Sequence, residues 1–140
     1  MIEILRVEGL SKNFTKKGLF QSKSHTVTAA KDVSFSLNQD EILAIAGQSG
    51  SGKSTIAKLI LRAIEPDSGK IFFDGTLVSK NSTGLKKLRM ECQMVYQDPY
   101  DAINPRMKIS DIISEPLEIH NIGNKESRAQ MVLDALKEVK

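Results

Sequence analysis

The sequence has one cysteine, Cys92, no tryptophan, and aromatic residues at only 5% of its length. A single cysteine excludes an internal disulfide and fits a reducing compartment. Cys92 itself reads as a small buried hydrophobe rather than a reactive thiol. No apolar run approaches the roughly 18 residues that a bilayer-crossing helix requires. The opening residues, Met1-Ile2-Glu3-Ile4-Leu5-Arg6, lack the basic segment followed by an apolar stretch that marks a secretory signal. An excess of one charge is also missing. Twenty basic residues against 17 acidic ones leave a net +3, too little to argue for a nucleic-acid partner. His25 and His120 stand at no metal-ligand spacing and read as surface residues. There is no internal repeat and no low-complexity segment. What remains is ordinary globular composition, 40% hydrophobic over 140 residues, enough for one domain with a real core.

The stretch from Ile42 to Ile64, ILAIAGQSGSGKSTIAKLILRAI, organises the rest. Ile42 to Ala46 is unbroken apolar and predicts a parallel strand buried on both faces. Gly47-x-x-x-x-Gly52-Lys53-Ser54 then fits the phosphate-binding loop pattern. Glycines at 47, 50 and 52 allow positive φ and close approach, so successive amide N–H groups can turn toward phosphate oxygens. The pattern assigns Lys53 to the β- and γ-phosphates and the Ser54 hydroxyl to Mg²⁺. Ile56, Leu59, Ile60 and Ala63 recur at the spacing of one helical face. The start of that helix adds its free N–H groups and the positive end of its dipole. Strand, loop and helix together point to nucleotide binding.

Residues 2–10 alternate loosely and predict a strand ending in Gly9. Thr15 to Thr26 is polar, with Lys16, Lys17 and Lys23 around Leu19 and Phe20, and predicts a solvated loop. Val27 to Leu37 returns to strand character, with Val33, Phe35 and Leu37 on one side and Ser34 and Ser36 on the other. Two such strands ahead of the phosphate loop suggest an antiparallel sheet beside the parallel one. Pro66-Asp67-Ser68-Gly69 reads as a turn. Lys70 to Asp74 and Thr76 to Val78 make a short hairpin around Gly75. Lys80 to Gly84 predicts a loop, Leu85 to Met90 a basic helical turn, and Glu91 to Tyr96 another strand. Asp98 to Arg106 contains Pro99 and Pro105 and should be irregular. Ile109, Ile112, Ile113, Pro116 and Leu117 mark a helical face, with Ser110 placed to cap it and Pro116 expected to end or kink it. Asn124 predicts the cap of a last helix with the stripe Ala129, Val132, Leu133 and Leu136.

In this order, the features make the chain resemble the N-terminal half of an ABC transporter ATPase subunit, from about Leu5 onward. Leu10-Ser11-Lys12-Asn13-Phe14 is similar to the segment whose aromatic residue stacks on adenine; a core aromatic is the other reading of Phe14. Gly47-Gln48-Ser49-Gly50-Ser51-Gly52-Lys53-Ser54-Thr55 is similar to the family's phosphate loop. The resemblance thus implies ATP and Mg²⁺, with these residues on the nucleotide and Ser54 also on the metal. Pro66-x-Ser68-Gly69-x-Ile71-x-x-Asp74-Gly75 is similar to the strand pair that follows. Gln97, after Met94-Val95-Tyr96, resembles the Q-loop glutamine, which contacts Mg²⁺ and the attacking water. Gln97 through Met107, with Glu115-Pro116-Leu117 behind it, resembles the oligopeptide/dipeptide importer branch and its nickel-uptake relatives. The insert holding Gly18-Leu19-Phe20 resembles the same branch.

The resemblance implies an α/β fold: an ABC-type P-loop NTPase core with an antiparallel β subdomain, incomplete at the C-terminus. Residues 1–140 would be the N-terminal part of one ATP-binding domain. The implied role is the energising subunit of a peptide-type importer, peripheral on the inner face of the cell membrane. Its implied partners are a permease, met by Ile103, Pro105 and the neighbouring loop, a second ATP-binding subunit and, indirectly, an extracytoplasmic solute-binding protein; nucleic acid is not among them. The family's LSGGQ-type signature, its strand ending in Asp-Glu and its switch histidine do not occur here. Phosphoryl transfer depends on such charge-positioning groups, so the chain alone is expected to bind ATP but hydrolyse little. A soluble ABC-type ATPase without a permease and a truncated nucleotide-binding module without catalysis are the alternatives.

Overall fold

The computed structural model describes residues 2–16 and 25–139. It divides into two compact units, Met1–Gln93 and Met94–Lys140. In the first, β1 (Glu3–Lys16) pairs antiparallel with β2 (His25–Asn38) and, on its other edge, with β3 (Ser68–Phe73); β4 (Thr76–Leu77) closes the sheet in the order β2-β1-β3-β4. The antiparallel pair ahead of the phosphate loop is therefore as expected. β1 does not stop at Gly9, however. Gly9, at φ 58°, lies where the register with β2 slips between Val7 and Leu10, so the glycine makes a bulge and the strand runs on. The Thr15–Thr26 loop shrinks correspondingly, and the Gly18-Leu19-Phe20 insert lies outside the described residues.

Alternation decides which face is buried. Val7 and Leu10 of β1 and Ile71 and Phe73 of β3 point inward, and Val33, Phe35 and Leu37 of β2 are half-buried between exposed Ser34 and Ser36. Helix α1 (Lys53–Ile60) lays Ile56 and Leu59 on this layer, and α2 (Thr83–Glu91) adds Leu85 and Leu88. Each such side chain contributes roughly 1.5–3 kcal/mol on leaving water. The β3–β4 hairpin turns through Asp74 and Gly75, both at positive φ (46° and 68°), the pair that a two-residue hairpin matching strand twist demands. Helix α2 begins where Ser82 accepts a hydrogen bond from the Leu85 N–H at 3.1 Å.

Three expectations fail in this unit and at its edge. Ile42 to Ala46 forms no strand; the run is irregular and exposed, Ile42 at 96%. An interior parallel strand needs hydrogen-bonding neighbours, and every pairing among the described residues is antiparallel. Glu91 to Tyr96 fails likewise: Glu91 ends α2 and the rest is irregular, with Val95 exposed. Helix α1 also ends at Ile60, because Arg62 turns left-handed at φ 53°, and Ala63 falls outside the helix and is exposed.

The second unit has a short 3₁₀ turn, Pro99–Ala102, then α3 (Ile109–Ile119) and α4 (Lys125–Val139). Asp98 caps the 3₁₀ turn by accepting from the Tyr100 N–H at 2.9 Å. The cap position of α3 belongs to Lys108, while Ser110 bonds the Asp111 carboxylate. Pro116 neither ends nor breaks α3. It removes one N–H, and the helix resumes as the His120 N–H reaches the Pro116 carbonyl at 3.0 Å. Asn124 caps α4 as expected, accepting from the Ser127 N–H at 2.9 Å while Ser127 Oγ accepts from the Asn124 N–H. Of the α4 stripe, Val132 alone is buried. No helix of the described residues is long and apolar enough to cross a membrane.

Candidate nucleotide-binding site

The loop from Gly47 to Gly52 is curled, and its own bonds show why. The Ser51 N–H donates to the Gln48 carbonyl at 3.2 Å, closing a turn through Ser49 and Gly50. The Lys53 ammonium reaches back across it to the carbonyls of Gly47 (2.8 Å) and Gln48 (2.7 Å) and lies 3.4 Å from Ser51 Oγ. Gly52 sets the step into the helix at φ 93°, and a Cβ there would stand 2.0 Å from the Ala29 carbonyl oxygen. Only glycine lets the loop press that closely on β2.

Helix α1 opens on this loop without a side-chain cap and with no acidic residue in its first turn. Its leading N–H groups are therefore free to meet an anion, and the helix dipole favours one there. Gln48, Ser49, Gly50, Ser51 and Ser54 are exposed, whereas Lys53 and Thr55 are half-buried. The uncapped start of α1, a lysine bonded to carbonyls and near a hydroxyl, and an exposed Ser54 fit a polyphosphate. Among the described residues no group of three His, Cys, Asp or Glu is placed to hold a metal ion. A divalent cation at Ser54 would draw other ligands from phosphate oxygens and water, the way Mg²⁺ commonly binds with nucleotides.

Phe14 belongs to the same unit. It pairs with Val27 of β2, two residues along from the Ala29 carbonyl that abuts Gly52. Strand rise places that step at roughly 7 Å. Phe14 is 39% exposed, so it is not a core aromatic. Its neighbourhood is tied down by Asp67, whose carboxylate takes the Lys12 ammonium at 2.8 Å and the Asn13 N–H at 2.7 Å. The Lys12 hydrogen bond first, and the Asn13 N–H second, hold the Asp67 carboxyl below its usual range. Lys12 also lies over the Phe14 ring, 5.7 Å from its centre. Gln97 is exposed, at a bend in the second unit. The fold brings together Gly47 through Thr55 and ties them to Phe14 through β2; Gln97 belongs to the other unit.

Comparison with known proteins agrees with this geometry. Residues 30–140 match the family described as ABC transporter. The chain belongs to that family. A protein of Sinorhizobium fredii named "Probable peptide ABC transporter ATP-binding protein y4tS" is 38% identical over 138 residues, covering 97% of this chain and 39% of that protein. The glutathione import ATP-binding protein GsiA of Salmonella paratyphi A is 39% identical over 138 residues, covering 97% of this chain and 22% of its own length. The chain thus spans two fifths or less of these two ABC relatives. In fold it is similar to the ATP-binding cassette MJ0796, solved as a dimer in a post-hydrolysis state with ADP and Pi. The TM-score is 0.73 at 23% identity, over 96% of this chain and 56% of that one. It is also similar to cbiO1 of Clostridium perfringens, part of the ABC transporter complex cbiONQ, with TM-score 0.65 at 26% identity over 96% and 49%. The ABC-type α/β fold class is borne out. Sequence reasoning missed Lys12, Ala29 and Asp67 in this ABC chain. Asp67 was visible only as a turn residue, and nothing local signals that its carboxylate reaches β1.

Proposed function

We propose that the chain is part of the ATP-binding subunit of a peptide-type ABC importer and binds MgATP at Gly47 through Thr55. The curl of this loop beneath an uncapped, acid-free helix start carries the proposal. In this reading the loop amides and first-turn N–H groups hold the phosphates, Ser54 holds Mg²⁺, and Phe14 packs against adenine. Lys53 exchanges its bonds to the Gly47 and Gln48 carbonyls for phosphate oxygens, an exchange that favours binding because it replaces ion–dipole contacts by ion–ion ones. Gln97 is proposed to contact the metal and the attacking water. The importer role is supported by the peptide and glutathione import names of the relatives. We assign residues 1–140 to the N-terminal part of one ATP-binding domain and the segment around exposed Ile103 and Pro105 to a permease contact. A second ATP-binding subunit pairs with it at the inner face of the membrane, and a solute-binding protein acts beyond the permease. Calorimetry tests the site. Lys53→Ala should weaken MgATP binding by at least tenfold, the worth of one charge-assisted bond of about 1.5–3 kcal/mol. Unchanged affinity would remove the assignment.

A further inference from the structure

Strand β1 outruns its neighbour β3. The two pair from Leu5 against Phe73 to Ser11 against Ser68, where β3 begins, while β1 continues to Lys16. Beyond Ser11 the β1–β2 ribbon has lost one flank, and two-stranded ribbons are marginal by themselves. Asp67, the residue before β3, fills the gap. Its N–H donates to the Ser11 carbonyl at 2.9 Å, and its carboxylate accepts the Asn13 N–H, a main-chain donor that a third strand would otherwise take. The other carboxylate oxygen holds Lys12, and Lys12 lies over the Phe14 ring. The Asn13 side chain is fixed from the opposite side, its Oδ1 accepting from Thr28 Oγ1 at 2.8 Å.

We propose that Asp67 is a positioning residue: acting through Lys12 and Asn13, it fixes the Phe14 ring as a stacking platform for the base of a nucleoside triphosphate. Three contacts on consecutive residues, Ser11, Lys12 and Asn13, leave the backbone at Phe14 little freedom. The ammonium takes a position over the ring, and Phe14 keeps 39% of its surface exposed. Asp67 is a carboxylate at neutral pH, and Lys12 first and the Asn13 N–H second hold its pKa below the usual range. The order of parts also suits one extended ligand. Phosphate donors sit at the Gly52 end of the β2 contact, and the aromatic ring sits two strand residues away at Val27. This assignment rests on the proposed nucleotide function and adds a determinant for the base end of that site.

The test compares two probes on the whole chain by calorimetry, ATP and inorganic tripolyphosphate, which lacks a base. Stacking one base is worth about 1–3 kcal/mol, so Phe14→Ala should weaken ATP by roughly five- to 150-fold and leave tripolyphosphate unchanged. Asp67→Ala should weaken ATP by a part of that factor, again sparing tripolyphosphate, and should add nothing in the Phe14→Ala background. Asp67→Asn, which can still accept the Asn13 N–H but loses the ion pair, should fall between Asp67→Ala and the wild type. Tripolyphosphate binding in the same sample reports that the phosphate loop is folded. Equal losses for both probes in Asp67→Ala, or a full additional loss in the double variant, would overturn the positioning role. A wild type that binds neither probe would overturn the nucleotide function itself, and this assignment with it.

Discussion

Replacing Gly52 by alanine tests whether β2 shapes the phosphate loop. The new Cβ would lie 2.0 Å from the Ala29 carbonyl oxygen and 3.2 Å from its carbon. Carbon and carbonyl oxygen rest at about 3.3 Å or more, so loop and strand must separate by more than about 1 Å. Both partners are main chain, and neither can swing aside as a flexible side chain would. Gly50→Ala provides the control. Gly50 also has positive φ, 80°, but a Cβ there meets nothing within 4 Å. Both variants carry the left-handed backbone cost of roughly 1–2 kcal/mol. Gly52→Ala alone adds an overpacking cost of about 1–3 kcal/mol. Thermal denaturation should therefore place Gly52→Ala several degrees below Gly50→Ala, about 5–10 °C for a difference near 2 kcal/mol. A calorimetric MgATP titration should show the heavier loss in the same variant, since the start of α1 moves with the loop. If the two variants melt together, the close approach to Ala29 does not hold the loop and the reasoning is wrong.

Other consequences are simpler to read. Ser82→Ala removes the cap of α2 and the Ser82 contacts to Ser79, and should cost about 1–2 kcal/mol of stability in thermal or urea denaturation while leaving MgATP affinity alone. Cys92 packs against the core, and burial first and the Glu91 carboxylate second push its thiol pKa up. Because the thiolate is the reactive form, labelling should begin at higher pH than in a free cysteine peptide; fast labelling at neutral pH would contradict this packing. Phosphate release from ATP by the purified chain should stay near background, because the chain has no apolar strand ending in Asp-Glu to hold the metal and polarise water; sustained turnover would identify an overlooked base.

The legible parts of the sequence were those whose geometry is local. Gly47-x-x-x-x-Gly52-Lys53-Ser54 encodes its own curl, since its turn, its lysine contacts and its helix start all close within a few residues. Asn124 and the Asp74-Gly75 turn were readable for the same reason. Ile42 to Ala46 was not, because hydrophobicity says that a segment wants burial and nothing about which neighbour supplies its ladder bonds. Pro116 does not end α3, since one missing N–H does not outweigh the bonds on either side of it. Gly9 looks like a strand stop in the sequence because turn and bulge use the same residue. Asp67 remained hidden because its partners lie more than fifty positions away. A contact of that kind is decided by strand length, here by β1 outrunning β3.

The bare Ile42–Ala46 ribbon has a colloidal consequence. Five uncharged aliphatic residues, all exposed, in no strand and without proline, are the kind of segment on which identical copies stack. Concentrated stocks should scatter light and gain thioflavin fluorescence with time, and one lysine at Ile42 or Leu43 should delay both.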